Sequence, residues 1–258
     1  MPSITGQFIL VIGGSSGIGA GVAKLALAEG LRVAIASSNP IRVANAVKSL
    51  QAACPGGDIT GYTCDLKQAD VEAGLEKLLT EVTAAAGTAG QPRLLDHVIC
   101  TANVPDIKPV AQADAEYLRA VAQGCVTPTI LLAKLAPRFL NKSVRSSIIY
   151  TGGAVADRPR PPYTMGSFMA AGMQGVVRSL ALELAPALRV NMVQPGATDT
   201  ELWGAGEQRA QLREAVTKMA LLGKPGTAEE VAEAYMYLMK DSNATGSCVK
   251  TDGGVLLQ

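Results

Sequence analysis

Short apolar runs alternate along this chain with longer stretches in which apolar residues return every three or four positions. The runs FILVIGG, RVAIAS, DITGYTCDL, LLDHVICTA, SSIIYTGG and RVNMVQPG read as strands, being short and rich in β-branched residues. Between them the wider spacing predicts helices from Gly17 to about Gly30, through Ser49, from about Asp70 to Ala86, over about 114–140 and over about 166–185. Strands that are apolar throughout, each followed by a helix, belong to a parallel sheet buried on both faces. With right-handed crossovers this is an α/β chain folded as a single doubly wound parallel sheet, helices on both faces.

Two segments interrupt the rhythm. AAAGTAGQP, residues 84–92, reads as a surface loop within one domain, because strand and helix resume after it. Residues 197–226 hold the chain's single Trp, Trp203, and a mixed helix, EQRAQLREAVTKMALL. Inserted after a strand's carboxyl end, the segment is placed to lie over a ligand crevice as a lid; the alternative is an ordinary pair of surface helices. No internal repeat and no low-complexity tail is present.

Composition narrows the partners. With 258 residues, 48% of them apolar, the chain has ample material for a buried core. A net charge of +1 from 23 basic and 22 acidic side chains, without charge runs, gives no electrostatic footprint for nucleic acid or an anionic membrane. Neither the start of the chain, MPSITGQFILVIGG, nor any later stretch reads as a signal peptide or a membrane span. Five scattered cysteines without a C-x-x-C pair suit reduced, mostly buried thiols in a cytoplasmic protein. The lone histidine, His97, sits inside the apolar run HVIC, which suits a packed side chain better than a ligand or base, so no metal site is expected.

The strongest chemical signal is IGGSSGIG, residues 12–19, closing the first strand and opening the first helix. Glycines at 13, 17 and 19 permit a tight turn, and backbone N–H groups with the helix N-terminus can then approach a pyrophosphate. Gly13, Ser15, Ser16, Gly17, Ile18 and Gly19 are therefore candidate cofactor residues in a Rossmann-like fold. At the end of the second strand stand Ser37, Ser38, Asn39 and, one turn on, Arg42. An acidic residue there would favour NAD; hydroxyls and an arginine favour the 2′-phosphate of NADP, unless Arg42 is merely a solvated helix residue.

The spacing G-x-x-x-G-x-G resembles the short-chain dehydrogenase/reductase family, and further matches follow in order: Asp65-Leu66, RSLALEL, RVNMVQPG, GKPGTAEEVA and TDGG. Together they cover nearly the whole chain. The resemblance implies that Asp65 and Leu66 lie at the adenine and that Thr101, Ala102 and Asn103, in place of the family's N-N-A-G, line the cofactor. It also implies that Pro195, Gly196, Thr198 and Thr200 hold the nicotinamide carboxamide, and that the chain forms a homodimer or homotetramer through the helices around 114–140 and 166–185.

Members of that family reduce a carbonyl with Asn, Ser, Tyr and Lys, the Tyr acting as general acid. Counting back from Gly175 and Arg178 places the Tyr position at Gly166 and the Lys position at Ala170. Counting forward from SIIYTGG places the Ser position at Gly153, and counting back from Pro137 places Asn at Gly124. No side chain larger than a methyl stands at any of the four. Loss of a positioned acid costs about 10²–10⁴-fold where a proton must be delivered. Hydride addition to an iminium-type cation needs none, and the missing side chains leave room for a bulky substrate. This resembles fungal alkaloid-pathway members that lack the tetrad and combine such a reduction with control of a cycloaddition.

Three residues are candidate replacements, each with a plainer alternative: Tyr163, three places before the vacated Tyr position, or else a residue packed at the pocket rim; Asp106, after the fourth strand, facing a cationic substrate or else a solvated turn residue; and Thr151, offering a hydroxyl near the missing Ser or else pointing into the core. Asp157 and Arg158 read as a local surface pair. A catalytically silent nucleotide-binding protein and an ordinary carbonyl reductase using Tyr163 are the rival readings.

Overall fold

A computed structural model describes residues 2–88, 90–102 and 107–257. Its strands are β1 (Phe8–Ile12), β2 (Arg32–Ser37), β3 (Ile59–Thr63), β4 (His97–Cys100), β5 (Ser147–Thr151), β6 (Arg189–Pro195) and β7 (Cys248–Thr251). All are parallel, in the order β3-β2-β1-β4-β5-β6-β7, so the sheet reverses direction of growth between β1 and β4. In such a sheet the crevice for ligand opens at the carboxyl ends of those two strands.

The helices are α1 (Gly17–Ala28), α2 (Pro40–Ala53), α3 (Val71–Ala86), α4 (Ala115–Val121), α5 (Thr127–Leu135), α6 (Thr164–Leu184), α7 (Gly206–Met219) and α8 (Ala228–Lys240). Period-two alternation assigns each strand residue to one of two layers. Leu10, Ile12, Val98, Ile148 and Tyr150 pack with α3, α5 and α6. Ile9, Val11, Ile35, Ile99, Ile149 and Val193 pack with α1 and α8. Each fully buried aliphatic side chain contributes about 1.5–3 kcal/mol, and both layers hold many.

Polar residues mark the helix starts. Asn39 caps α2 by accepting from the Arg42 N–H at 3.0 Å, and Asp114 caps α4 by accepting from Tyr117 at 2.7 Å. Thr227 and Glu230 form a reciprocal capping box on α8. α8 and β7 extend the alternation beyond the elements read from the apolar runs, and α2 runs on to Ala53, past Ser49.

The helix expected over about 114–140 is broken. Between α4 and α5, Ala122–Val126 form a π-helical turn, in which the Thr127 N–H donates to the Ala122 carbonyl. Pro128 explains it: a regular helix would bring the proline ring against the carbonyl of Gly124, four residues back, and Pro128 has no N–H to offer it. Ala115–Arg138 is the one helical stretch among the described residues with the length and apolarity of a membrane span, and half of it is buried, as in a core helix beside a sheet.

The chain between β6 and α8 leaves the sheet and returns to it. Thr198 and Gly226 form a parallel bridge, and the Asp199 N–H donates to the Gly226 carbonyl at 2.9 Å, joining the two ends of the excursion. Within it α7 buries only Val216. Asp199 holds that helix by accepting from Arg209 Nε at 2.8 Å, with Arg213 at 3.4 Å.

Candidate cofactor and active site

The turn after β1 is built around glycine. Gly13 and Gly17 have φ of +92° and +52°, where a side chain is strained. A Cβ at Gly13 or Gly19 would also collide with its surroundings: Thr101 Oγ1 lies against both, and the Gly13 carbonyl blocks Gly19. Two glycines that the spacing did not mark are equally confined. A Cβ at Gly14 would lie 2.7 Å from Ile35 Cγ2, and one at Gly21 would lie 2.7 Å from the Ala228 carbonyl oxygen.

Ser16 is the N-cap of α1, in extended backbone, and its hydroxyl makes no capping bond. Ser15, Ser16 and Ile18 are half-buried beside it. The Gly17 N–H, at the positive end of α1, donates to a carboxylate oxygen of Glu201 at 3.0 Å. Thr200 packs its Cβ and Cγ2 over the same glycine, each 3.3 Å from where a Gly17 Cβ would stand. The loop after β6 is thus seated on the glycine turn, and Glu201 is a residue of this site that no sequence motif indicated.

Several candidate residues serve the scaffold first. The Thr101 hydroxyl donates to the Ile12 carbonyl at 3.2 Å, joining β4 to the turn. Leu66 is buried in the core, so only its backbone faces outward. Asp65 accepts from the Lys67 N–H at 3.0 Å, which fixes the loop after β3. Asn39 is spent on capping α2, leaving Ser37, Ser38 and the exposed Arg42 at the end of β2. Ala102 is exposed, while Asn103 and Asp106 lie outside the described residues. Gly196 is held against Asp252, whose Cα would lie 2.6 Å from a glycine Cβ, and the Thr198 hydroxyl donates to the Gly196 carbonyl at 3.2 Å. Pro195 ends β6 in the core.

The three glycines that the sequence matches to the family's Asn, Ser and Tyr positions behave differently from those of the β1–α1 turn. A Cβ at Gly124 would lie 3.5 Å from Lys67 Cγ, one at Gly153 would lie 3.7 Å from Val155 Cγ2, and one at Gly166 would lie 3.5 Å from Tyr163 Cδ1. These are ordinary van der Waals separations, and none of the three has positive φ. Backbone geometry does not require glycine at any of them.

Thr151 is not turned toward these positions. Its hydroxyl donates to the Cys100 carbonyl at 2.8 Å and lies 2.7 Å from the Tyr235 hydroxyl of α8, on the same layer as Ile149. Strand alternation sends it away from α5 and α6, which carry Gly124's neighbourhood and Gly166. Tyr163 is half-buried at the start of α6, and Arg160 covers its ring at 4.4 Å from the centroid.

Asp157 and Arg158 do not pair with each other as the sequence suggested. Asp157 accepts from Gln194 and binds Lys250 at 3.0 Å, while Arg158 donates to the Val255 carbonyl. The Gln194 hydrogen bond, then Lys250, holds the Asp157 carboxyl below its ordinary range. Burial pushes the thiols of Cys64 and Cys100 up to about 11, so neither offers a thiolate near neutral pH. His97 is fully buried between Ser147 Oγ at 2.8 Å and Gln7 Oε1 at 2.9 Å. Among the described residues no group of three or more His, Cys, Asp or Glu could hold a metal ion.

The order of strands, the glycine cradle and an N–H that donates to an anionic oxygen together fit a dinucleotide. The sequence model of the SDR-like Rossmann domain matches residues 3–258. This chain belongs to the short-chain dehydrogenase/reductase family. The family is one of oxidoreductases that use a nicotinamide nucleotide. Among its members, the short-chain dehydrogenase/reductase ATR9 of Stachybotrys chlorohalonatus is 44% identical over 261 residues, covering 100% of both chains. The short-chain dehydrogenase/reductase malC of Malbranchea aurantiaca is 33% identical over 99% of this chain and 96% of its own. The solved structure of the MalC reductase/Diels-Alderase from that organism superposes with a TM-score of 0.90, at 32% identity over 98% of this chain and 97% of the other.

Proposed function

We propose that this chain is an NADP(H)-dependent short-chain reductase of specialised metabolism, which reduces a bulky, iminium-type substrate without a built-in general acid. One observation carries the reading: the glycines that would hold the cofactor are confined by close neighbours or positive φ, whereas those matched to the Asn, Ser and Tyr positions are glycine although a Cβ would meet only ordinary van der Waals contacts there.

When bound, the cofactor supplies a hydride. A carbon–nitrogen double bond that is already cationic takes the hydride at carbon, its π electrons move to nitrogen, and a neutral amine results. No alkoxide forms, so no proton has to arrive in that step. The protein's part is to bind and orient. The α1 N-terminus and glycine turn would hold phosphate, and Thr198 and Thr200 would lie toward the nicotinamide end. Gly124, Gly153, Gly166 and Ala170 lack the bulk of Asn, Ser, Tyr and Lys, which suits a larger substrate than those side chains would allow. Ser37, Ser38, Arg42 and the N-terminus of α2, with no carboxylate among them, favour NADP over NAD.

The likeness to a structure described as a reductase/Diels-Alderase supports a second reading, in which the same site also directs a cycloaddition. Self-association is proposed through the outer faces of α5 and α6. There Ile130 is 43% exposed, Phe168 65% and Leu182 84%, and Gly172 and Gly175 of the α6 stripe have open space before them. A single-protomer mass in solution would overturn the assembly.

The test of function is consumption of NADPH with a cyclic iminium salt against a simple ketone of similar size. The expected result is turnover of the former and, relative to it, about 10²-fold or more slower turnover of the latter. Equal rates overturn the reading. Tight cofactor binding without turnover across imine, ketone and alcohol substrates would instead establish a silent nucleotide-binding protein.

A further inference from the structure

The contact between Glu201 and Gly17 joins residues 184 positions apart and is made by an exposed carboxylate on a backbone N–H. That N–H is the first of a helix of 12 residues and has no intrahelical partner. It is also a donor that the glycine turn would offer to a phosphate. A carboxylate is the nearest side-chain equivalent of a phosphate oxygen: anionic, acceptor-only, and stabilised at a helix N-terminus.

Glu201 begins the 3₁₀ turn Glu201–Trp203, whose N-cap is Thr200, packed over Gly17. Just before it, Asp199 grips Arg209 of α7. Two acids on one short loop therefore connect the glycine turn to the exposed helix α7: Asp199 ties the loop to α7, and Glu201 ties the loop to α1. Two anions cannot share the Gly17 N–H, and like charges a few ångströms apart repel.

We propose that Glu201 is an internal stand-in for the cofactor's phosphate, holding the start of the 197–226 segment on the glycine turn until the dinucleotide displaces it. Cofactor affinity is then reduced by the fraction of molecules in which Glu201 occupies the turn, and binding is coupled to the position of the Glu201–Trp203 turn. This rests on the dinucleotide-binding reading of the site. It adds a residue whose charge opposes binding, where the motif residues around it favour binding.

The chain carries its own reporter. Trp203 is the single tryptophan, half-buried in the same turn, its backbone N–H donating to the Thr200 carbonyl at 3.1 Å. The experiment compares wild type, Glu201→Gln and Glu201→Ala by titration with NADPH, NADH and 2′-AMP, and by tryptophan fluorescence on adding NADP⁺. Both dinucleotides share the pyrophosphate, so Glu201→Ala is expected to tighten both by about the same factor, roughly tenfold. Glu201→Gln should fall between, and 2′-AMP, which has no pyrophosphate, should bind unchanged. Wild-type fluorescence should shift on adding NADP⁺ toward a spectrum that Glu201→Ala already shows alone. Unchanged or weaker dinucleotide binding by Glu201→Ala overturns the proposal while leaving the cofactor reading intact. Failure of wild type to bind either dinucleotide overturns both.

Discussion

Tyr163 Cδ1 lies 3.5 Å from the point a Cβ on Gly166 would occupy, so the tyrosine meets Gly166 with a carbon edge of its ring. The Arg160 guanidinium covers the ring's face. This is the arrangement of a pocket wall, with the phenol pinned by a cation–π contact. Tyr163→Phe keeps the wall and removes only the hydroxyl. It is expected to change kcat/KM for an iminium substrate by less than about threefold. A fall of about 10²-fold or more would make Tyr163 the acid and support the carbonyl-reductase reading.

Room at the tetrad positions predicts that the missing chemistry can be put back. In Gly153→Ser/Gly166→Tyr/Ala170→Lys the first atoms of the new side chains at 153 and 166 meet neighbours no nearer than 3.5 Å. The triple variant should remain folded and gain reduction of simple ketones by ~10²-fold, while losing the bulky substrate whose space it fills. Gly166→Ala alone, inside α6, should raise stability by roughly 0.5 kcal/mol, read as a higher urea midpoint. Gly19→Ala should do the reverse and abolish dinucleotide binding, because the Gly13 carbonyl leaves no space for its methyl.

Cofactor choice turns on the end of β2. Arg42 is exposed, on the first turn of α2, with Asn39 already engaged by its backbone N–H. Its side chain is free of the cap and close to Ser37 and Ser38 in sequence. Arg42→Ala is expected to weaken NADPH binding roughly tenfold, the loss of a charge-assisted hydrogen bond, and to leave NADH unchanged. Equal effects on both nucleotides would remove the arginine from 2′-phosphate recognition.

The glycine turn and the strands around it were legible in the sequence because they are local. Gly13, Gly17 and Gly19 are spaced by the turn itself, and β1, β4 and β5 are apolar because both their faces are covered. What escaped was what depends on distant chain segments meeting. No pattern in PGATDTEL announces that Glu201 reaches Gly17, and Asp157 finds Lys250 only because β7 lies beside β6. Two features had usable signals. Pro128 inside the apolar helix pattern marks the π turn, and Thr151 shares the parity of Ile149, which places its hydroxyl on the α8 side. The Thr227-x-x-Glu230 spacing likewise carries the capping signal for α8.

The final prediction concerns acid stability and the chain's only histidine. Burial, then the positive charges of Arg189 and Arg145, lower the His97 pKa from 6.5 to about 3. The folded state therefore keeps a neutral ring where the unfolded chain takes up a proton. Between those two values the unfolded state binds more protons, so stability rises with pH and falls as pH drops below 6.5. From pH 7 to pH 5, where ordinary carboxylates are still largely ionised, this linkage removes about 2 kcal/mol, with a slope approaching ~1.4 kcal/mol per pH unit. Above about pH 7 it contributes no further dependence. Urea midpoints at fixed protein concentration should follow that curve in wild type. His97→Gln, which keeps polar atoms near Ser147 and Gln7 but cannot titrate, should be less stable at pH 7 and nearly flat from 7 to 5. A wild-type curve equally flat over that range would show that His97 becomes protonated without unfolding.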